Sequence, residues 1–319
     1  MRIDLKDVLD LDEDSRVALE EYRKKRAFSP AAYVEAKTEA LGDYCKNNGI
    51  NSLTVLISGG IDSAVVAGIA KKVSNRYGTG VRMVTIPATN SQGVTRQDET
   101  VVLAQELSDS LDEVLDVLPF DGVVDEAINL CDLEVSQWGT GQAVSYLRTA
   151  VAYTYVTKCW SVGDRTLLVG TTNMDEGAYI GFFGKASDGM VDIQPISDLH
   201  KSEVYQVANY LEVPTSIVQA VPQGDMYHGG KDEQIFGCTY DCIELFYATH
   251  IGRYVDSPVS EQWERVVDNI EDLHQYNTHK YLGGSPAVHM DVMPYAGTFG
   301  SWSYQNIVDP KHIIKIKVD

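Results

Sequence analysis

Between residues 53 and 73 the chain changes its apolar rhythm within a few positions. Leu53-Thr-Val-Leu-Ile57 is a short β-branched apolar run, which predicts a buried strand. Ala64 to Val73 then carries apolar residues at helical spacing. The alternation continues downstream. Val81 to Pro87 predicts a second strand, and Asp98 opens a helix bearing Val101, Ala104, Leu107 and Leu111. Glu113 to Leu118 predicts a third strand, Gln142 to Trp160 a long helix and Thr166 to Val169 a fourth strand. Upstream, Ser29-Pro30 starts a helix with Tyr33, Ala36, Ala40, Leu41 and Tyr44 at helical spacing, ended by Gly49. Strands alternating with helices predict an α/β fold, a doubly wound parallel sheet flanked by helices. Ligands of such sheets bind beyond the strand C-termini, where the strand order reverses.

The remaining stretches divide the chain. Residues 1–28 form a charged N-terminal helical extension, with Asp12 to Arg26 expected as an exposed helix of ordinary i,i+4 pairs and no chemistry. Residues 29–285 form the main domain, and 286–319 a tail packing on it. Asp198 is expected to cap a helix whose apolar face is Val204, Val207, Ala208 and Leu211. Two glycine-bearing polar loops, Gly181 to Asp192 and Pro222 to Glu233, have the character of functional loops or lids.

Composition narrows the function classes. With 319 residues, 44% hydrophobic, the chain is long enough for one large core. Forty-six acids against 26 bases give a net charge of −20, a sign that repels a phosphate backbone and counts against nucleic-acid substrates. The absence of a long apolar run and of a signal peptide predicts a cytoplasmic protein without a membrane span. Cys45, Cys131, Cys159, Cys238 and Cys242 are expected as reduced thiols, with Cys238 and Cys242 buried rather than metal-bound.

The chemistry concentrates between the first strand and its helix, in Ser58-Gly-Gly-Ile-Asp-Ser63. Backbone N–H groups and the helix dipole favour an anion there. Gly59 and Gly60 let a phosphate approach the backbone, Ser58 and Ser63 add hydroxyl donors, and Asp62 offers a hard oxygen for Mg²⁺. No Walker lysine is present. Gly170 to Glu176 leaves the fourth strand at the same edge, so the two loops are expected to face each other and bring Glu176 near Asp62 as a second metal oxygen. Glu176 also suits the first turn of a helix. Lys201 falls in a first helical turn, where a cation is not dipole-favoured, which points to a partner such as a phosphate.

Ser58 to Ser63 resembles the pyrophosphate loop of the N-type ATP pyrophosphatases, and the order of the later segments, over about residues 30–285, resembles NAD synthetase. The resemblance implies an adenine nucleotide alpha hydrolase-like, Rossmann-like domain that binds ATP and Mg²⁺. It places Thr171 at the nucleotide, Glu176 on the metal, Lys201 on ATP phosphates, and Lys185, Asp188 and Asp192 in the Gly181-Phe-Phe-Gly-Lys185 segment and its continuation. His279 and Lys280 match a C-terminal His-Lys. Gln223 stands where the family has Ser or Thr in its second mobile loop. The substrate helix departs most: the family's Asn-x-Lys-Ala-Arg-x-Arg is Gln142-Ala-Val-Ser-Tyr146-Leu-Arg148 here, keeping the last arginine. Ile235 replaces an expected acid and Tyr281 an arginine.

The implied reaction is adenylation of a carboxylate, followed by displacement of AMP by ammonia. The leading acceptor is nicotinate adenine dinucleotide, giving NAD⁺. Chain length and the lack of an N-terminal cysteine are expected to mean free ammonia rather than glutamine. A homodimer is expected by family likeness. The alternatives are a paralogue amidating another carboxylate, suggested by Gln142, Tyr146 and Ile235, and a nucleotide-binding regulator without turnover.

Overall fold

Leu53 and Val55 of the first strand are fully buried on one face of the sheet, packed with the helix that follows, while Thr54 between them is buried on the opposite face, where its hydroxyl meets that of Thr166 at 2.8 Å, so the centre of the sheet is covered on both faces. The computed structural model describes residues 5–87, 97–120, 122–132, 137–222, 231–280 and 288–289. In chain order the elements are α1 (Glu13–Arg26), α2 (Pro30–Asn48), β1 (Ser52–Leu56), α3 (Ile61–Tyr77), β2 (Gly80–Thr85), α4 (Gln97–Ser110), β3 (Leu115–Val117) and α5 (Val123–Leu130). There follow α6 (Gln137–Ser161), β4 (Thr166–Val169), α7 (Met174–Gly177), β5 (Ile193–Gln194), α8 (Lys201–Tyr210), α9 (Thr215–Val218), α10 (Asp232–Phe236), α11 (Tyr240–Phe246), α12 (Glu261–Asn277) and β6 (Val288–His289).

The described strands form one parallel sheet in the order β3-β2-β1-β4-β5-β6. The chain winds outward one way from β1 and the other way from β4, which is the doubly wound topology the alternation predicts. The reversal lies between β1 and β4, so their C-terminal loops open onto one crevice. One core, built from α2, α3 and α8, covers one face of the sheet. A second, built from α5 and α6, covers the other face. A third cluster joins Leu19 and Tyr22 of α1 to α10, α11 and α12.

Three expectations change. The helix α1 is not merely an exposed surface helix: Ser15, Leu19, Tyr22 and Arg26 are buried. Asp198 does not cap α8. His200 does, in a capping box in which Glu203 accepts from the His200 N–H at 3.0 Å. The Asp198 carboxylate instead accepts from the Tyr33 hydroxyl at 2.7 Å and pairs with the buried Lys37 at 3.0 Å. Finally, residues 288–289, within the expected tail, supply the sixth strand. Cys238 and Cys242 are buried, as expected, and no group of three or more metal-ligating side chains occurs among the described residues. No described helix is long and apolar enough to cross a membrane.

Candidate active site

The loop after β1 is shaped by backbone demands. Gly59 sits at φ +76°, a left-handed conformation, and a Cβ there would come within 3.3 Å of Leu103. Ser63 reaches back from α3, its hydroxyl donating to the Gly60 carbonyl at 2.9 Å and accepting from the Ser58 N–H at 3.3 Å. That leaves the start of α3 with no side-chain cap. An uncapped N-terminus of a 17-residue helix, opened by two glycines, is a site for an anion.

Asp62, in the first turn of α3, faces the segment leaving β4. Its Oδ1 accepts from the Asn173 side-chain amide at 2.9 Å, and its Oδ2 from the Lys201 ammonium at 2.6 Å. Lys201 also reaches Glu176 Oε1 at 3.1 Å. One ammonium thus stands between the two carboxylates expected to converge. The described partners of Lys201 are carboxylates, where the sequence suggests a phosphate. Tyr240 completes the cluster: its hydroxyl donates to Glu176 at 2.9 Å, approaches Asp232 at 3.2 Å, and its ring lies 4.9 Å from the ammonium. Burial pushes Glu176 up to about 7, opposed by Lys201, while the acids around Lys201 raise its pKa and keep it charged despite burial.

Beneath this cluster lies a polar chain that no local sequence signal announces. Asp175 is fully buried, its Oδ2 accepting from the Lys201 backbone N–H at 2.7 Å and its Oδ1 lying 2.6 Å from His200 Nδ1. His200 Nε2 meets the Tyr22 hydroxyl at 2.8 Å. Arg26 pairs with Glu203 and donates to the Asp198 carbonyl at 2.7 Å. Burial pushes Asp175 up to about 7 and His200 down to about 4, so the imidazole is neutral at pH 7.

The His200 shift has a measurable sign. Its folded pKa lies below the unfolded value of about 6.5, so the unfolded chain takes up the proton first as pH falls. From pH 6.5 down to about 4 this costs the fold about 3 kcal/mol. Denaturant titrations at stepped pH are expected to show the stability gap between wild type and His200→Gln closing by that amount over this window. A gap indifferent to pH overturns the assignment.

The other anticipated residues fall in three places. Thr171, Arg148 and Asp188 line one small cleft at the ends of β1 and β4, together with Ser145 and Thr149. Arg148 also borders a second cleft with Ser58 and Thr100, and its Nε donates to the Ile86 carbonyl at 3.1 Å. Asp188 Oδ2 accepts from the Ser187 hydroxyl at 3.3 Å, and Lys185 is exposed on the same loop. Gln142 and Tyr146 lie on α6 one turn apart, Tyr146 exposed and near Gly184. Lys280 reaches the same loop from after α12, donating to the Gly181 carbonyl at 2.7 Å and lying over the Phe183 ring. Burial pushes its pKa down to about 8, with Asp188 opposing.

Two residues lie apart from the cluster. Asp192 accepts from the Leu168 N–H at 2.7 Å, a contact that ties the loop to β4. His279 is exposed, its Nδ1 3.2 Å from the Tyr276 carbonyl in its own turn. Gln223 and Tyr281 lie outside the described residues. A wider groove of about 410 Å³, bordered by α2, α3 and Tyr210, contains none of these residues.

The NAD synthase family profile matches residues 33–282. The chain belongs to the NAD synthase family. It is similar to the NH(3)-dependent NAD(+) synthetase of Mesoplasma florum, with 31% identity over 253 residues, covering 79% of this chain and 94% of the relative. The enzyme of the same name from Alkaliphilus metalliredigens is 31% identical over 259 residues, covering 78% and 95%. Among solved structures, the NMN synthetase of Francisella tularensis superposes with a TM-score of 0.68 at 26% identity, over 83% of this chain and 98% of that one. The NH3-dependent NAD synthetase of Campylobacter jejuni shares the fold, with a TM-score of 0.61 at 18% identity over 82% and 100%. Ser58 to Ser63 and Lys201 lie inside the matched region, whereas α1, with Tyr22 and Arg26, precedes it.

Proposed function

We propose that this chain forms a carboxamide from nicotinate adenine dinucleotide, ATP and ammonia, releasing NAD⁺, AMP and pyrophosphate. One observation carries the reading: Lys201 is held between Asp62 and Glu176 beside the uncapped N-terminus of α3, at the switch point of the sheet. A carboxylate does not react with ammonia at neutral pH because its oxygen is a poor leaving group. Transfer of AMP from ATP to that oxygen creates a good one. The backbone of Ser58 to Ser63 receives the departing pyrophosphate, and Lys201 turns its charge towards it. Thr171 and Arg148 border the cleft for the nucleotide.

Asp62 and Glu176 suit Mg²⁺, because two hard carboxylates already share one cation here and Mg²⁺ is commonly held by one or two carboxylates plus substrate phosphates. When bound, the ion neutralises charge on the phosphates. Asp188, exposed on its loop, is suited to orient the ammonium ion and take its proton. Lys185 and Lys280 flank the same loop, and Gln142 and Tyr146 face the acceptor side. Gln223 and His279 complete the nucleotide-binding set by family likeness, and Asp192 the acceptor set. Alignment with NH(3)-dependent relatives over 94–95% of their length supports free ammonia as donor. By family likeness the chain works as a cytoplasmic homodimer.

The test is pyrophosphate release from Mg-ATP and ammonium, with and without nicotinate adenine dinucleotide. Release that depends on the dinucleotide, matched by an equal amount of NAD⁺, is expected. Tight ATP binding without dinucleotide-dependent release overturns the reading. Nicotinate mononucleotide belongs in the same panel, because the Francisella structure is of an NMN synthetase and this chain's acceptor helix departs at Gln142 and Tyr146.

A further inference from the structure

We infer that Tyr22, on a helix ahead of the matched region, is a positioning residue for Lys201, acting through the continuous buried chain Tyr22–His200–Asp175 to the Lys201 backbone. This rests on the proposed reaction, in which Lys201 handles the phosphates. The chain is continuous in space although it joins distant segments: Tyr22 to His200 at 2.8 Å, His200 to Asp175 at 2.6 Å, Asp175 to the Lys201 N–H at 2.7 Å. Tyr22 is 1% exposed, His200 fully buried and Asp175 1% exposed, so water does not substitute readily for any link. The hydrogen-bond roles follow from chemistry. With Asp175 ionised, its carboxylate accepts from Nδ1–H, which leaves Nε2 as the acceptor for the Tyr22 hydroxyl.

Both carboxylate oxygens of Asp175 then point into α8, one at His200 and one at Lys201, and define where that helix begins. The Lys201 side chain leaves from the same residue towards Asp62 and Glu176. A rotation of the imidazole therefore shifts the start of α8 and with it the ammonium. Small misplacements of a charge in a reacting site cost rate rather than fold. The Tyr22 ring is held independently, stacked 5.8 Å from Tyr254 and edge-on to His200 at 5.6 Å, so removing the hydroxyl leaves the helix docked.

The experiment compares Tyr22→Phe with Leu19→Ala, a core truncation one turn earlier on the same helix whose apolar side chain makes none of the hydrogen bonds of the chain. Tyr22→Phe is expected to lower kcat for pyrophosphate release about ten-fold, with KM for the acceptor within about two-fold. Leu19→Ala is expected to lower the thermal midpoint more than Tyr22→Phe and to keep kcat within about two-fold of wild type. In parallel, the Lys201 amide proton, drawn downfield by its carboxylate partner, is expected to move upfield in Tyr22→Phe and not in Leu19→Ala. Unchanged kcat in Tyr22→Phe, or equal loss in Leu19→Ala, overturns the inference. If the wild type makes no amide from any acceptor, the proposed reaction fails. The Lys201 amide and Mg-ATP affinity, both read without turnover, then judge Tyr22: unchanged values overturn it and altered values in Tyr22→Phe alone uphold it.

Discussion

Lys201→Met is expected to lower pyrophosphate release by about a hundred- to a thousand-fold while the protein stays folded. The ammonium is the one described cation that contacts both Asp62 and Glu176, so in the proposed reaction its loss removes positive charge beside the departing pyrophosphate. Preorganised charge in a site sheltered from water is worth far more than the same charge in solvent, and removing one such donor commonly costs a hundred- to a thousand-fold by itself. Methionine keeps the aliphatic length that packs near the Tyr240 ring, so the change is mainly one of charge. Lys201→Arg is expected to recover little, because a planar guanidinium does not present a compact point charge between two carboxylates. Initial-rate assays alongside thermal melts separate lost chemistry from lost fold. Turnover within about ten-fold of wild type sinks the role assigned to this lysine.

Arg26→Met is expected to destabilise the fold by about 3–5 kcal/mol. Arg26 and Glu203 have side chains only 3% exposed, and the guanidinium also satisfies the Asp198 carbonyl. Truncating one partner leaves the Glu203 carboxylate buried, with the His200 N–H as its remaining described donor. The double variant Arg26→Met with Glu203→Leu is expected to regain most of the loss, because a buried ion pair exchanged as a pair for apolar groups is often near neutral. Denaturant unfolding of the two variants measures this directly. A single-variant cost below about 1 kcal/mol contradicts the packing assigned to α1.

The elements most legible in the chain are those whose signal is local. Thr166–Val169 is a strand over the span its apolar run predicts, and α2 ends at Gly49, where a left-handed φ of +63° favours the glycine. The helix after Ser58 to Gly60 is longer than its apolar run suggests, because Ile61 to Ser63 join its first turn and residues 74–77 its last. Where local signals compete, the reading slips. Asp198 carries the composition of a cap, but Tyr33 and Lys37 hold its carboxylate, and the cap passes to His200 two residues on.

Charge density misleads in a similar way at α1. Glu13, Asp14, Arg23, Lys24 and Lys25 give it the look of a solvated helix, yet Leu19, Tyr22 and Arg26 lie on a buried stripe. Arg26 reads as surface because an arginine is buried only when paired, and its partner Glu203 is 177 residues away. No periodicity within the helix records a contact of that range.

Taken alone, the sequence determined the parallel α/β order, the glycine turn that leaves the start of α3 open, and residue types suited to phosphate and metal. These depend on backbone conformation and apolar spacing within a few residues, which short-range sterics and burial dictate. Only the tertiary structure decided that one ammonium stands between Asp62 and Glu176. It alone decided that Tyr22 reaches His200 beneath them, and that Asp175, not Asp198, holds the start of α8. Those are contacts between segments brought together by the sheet's reversal and by a shared core. Their energies arise from mutual burial and pairing, which exist only once the distant partners are in place.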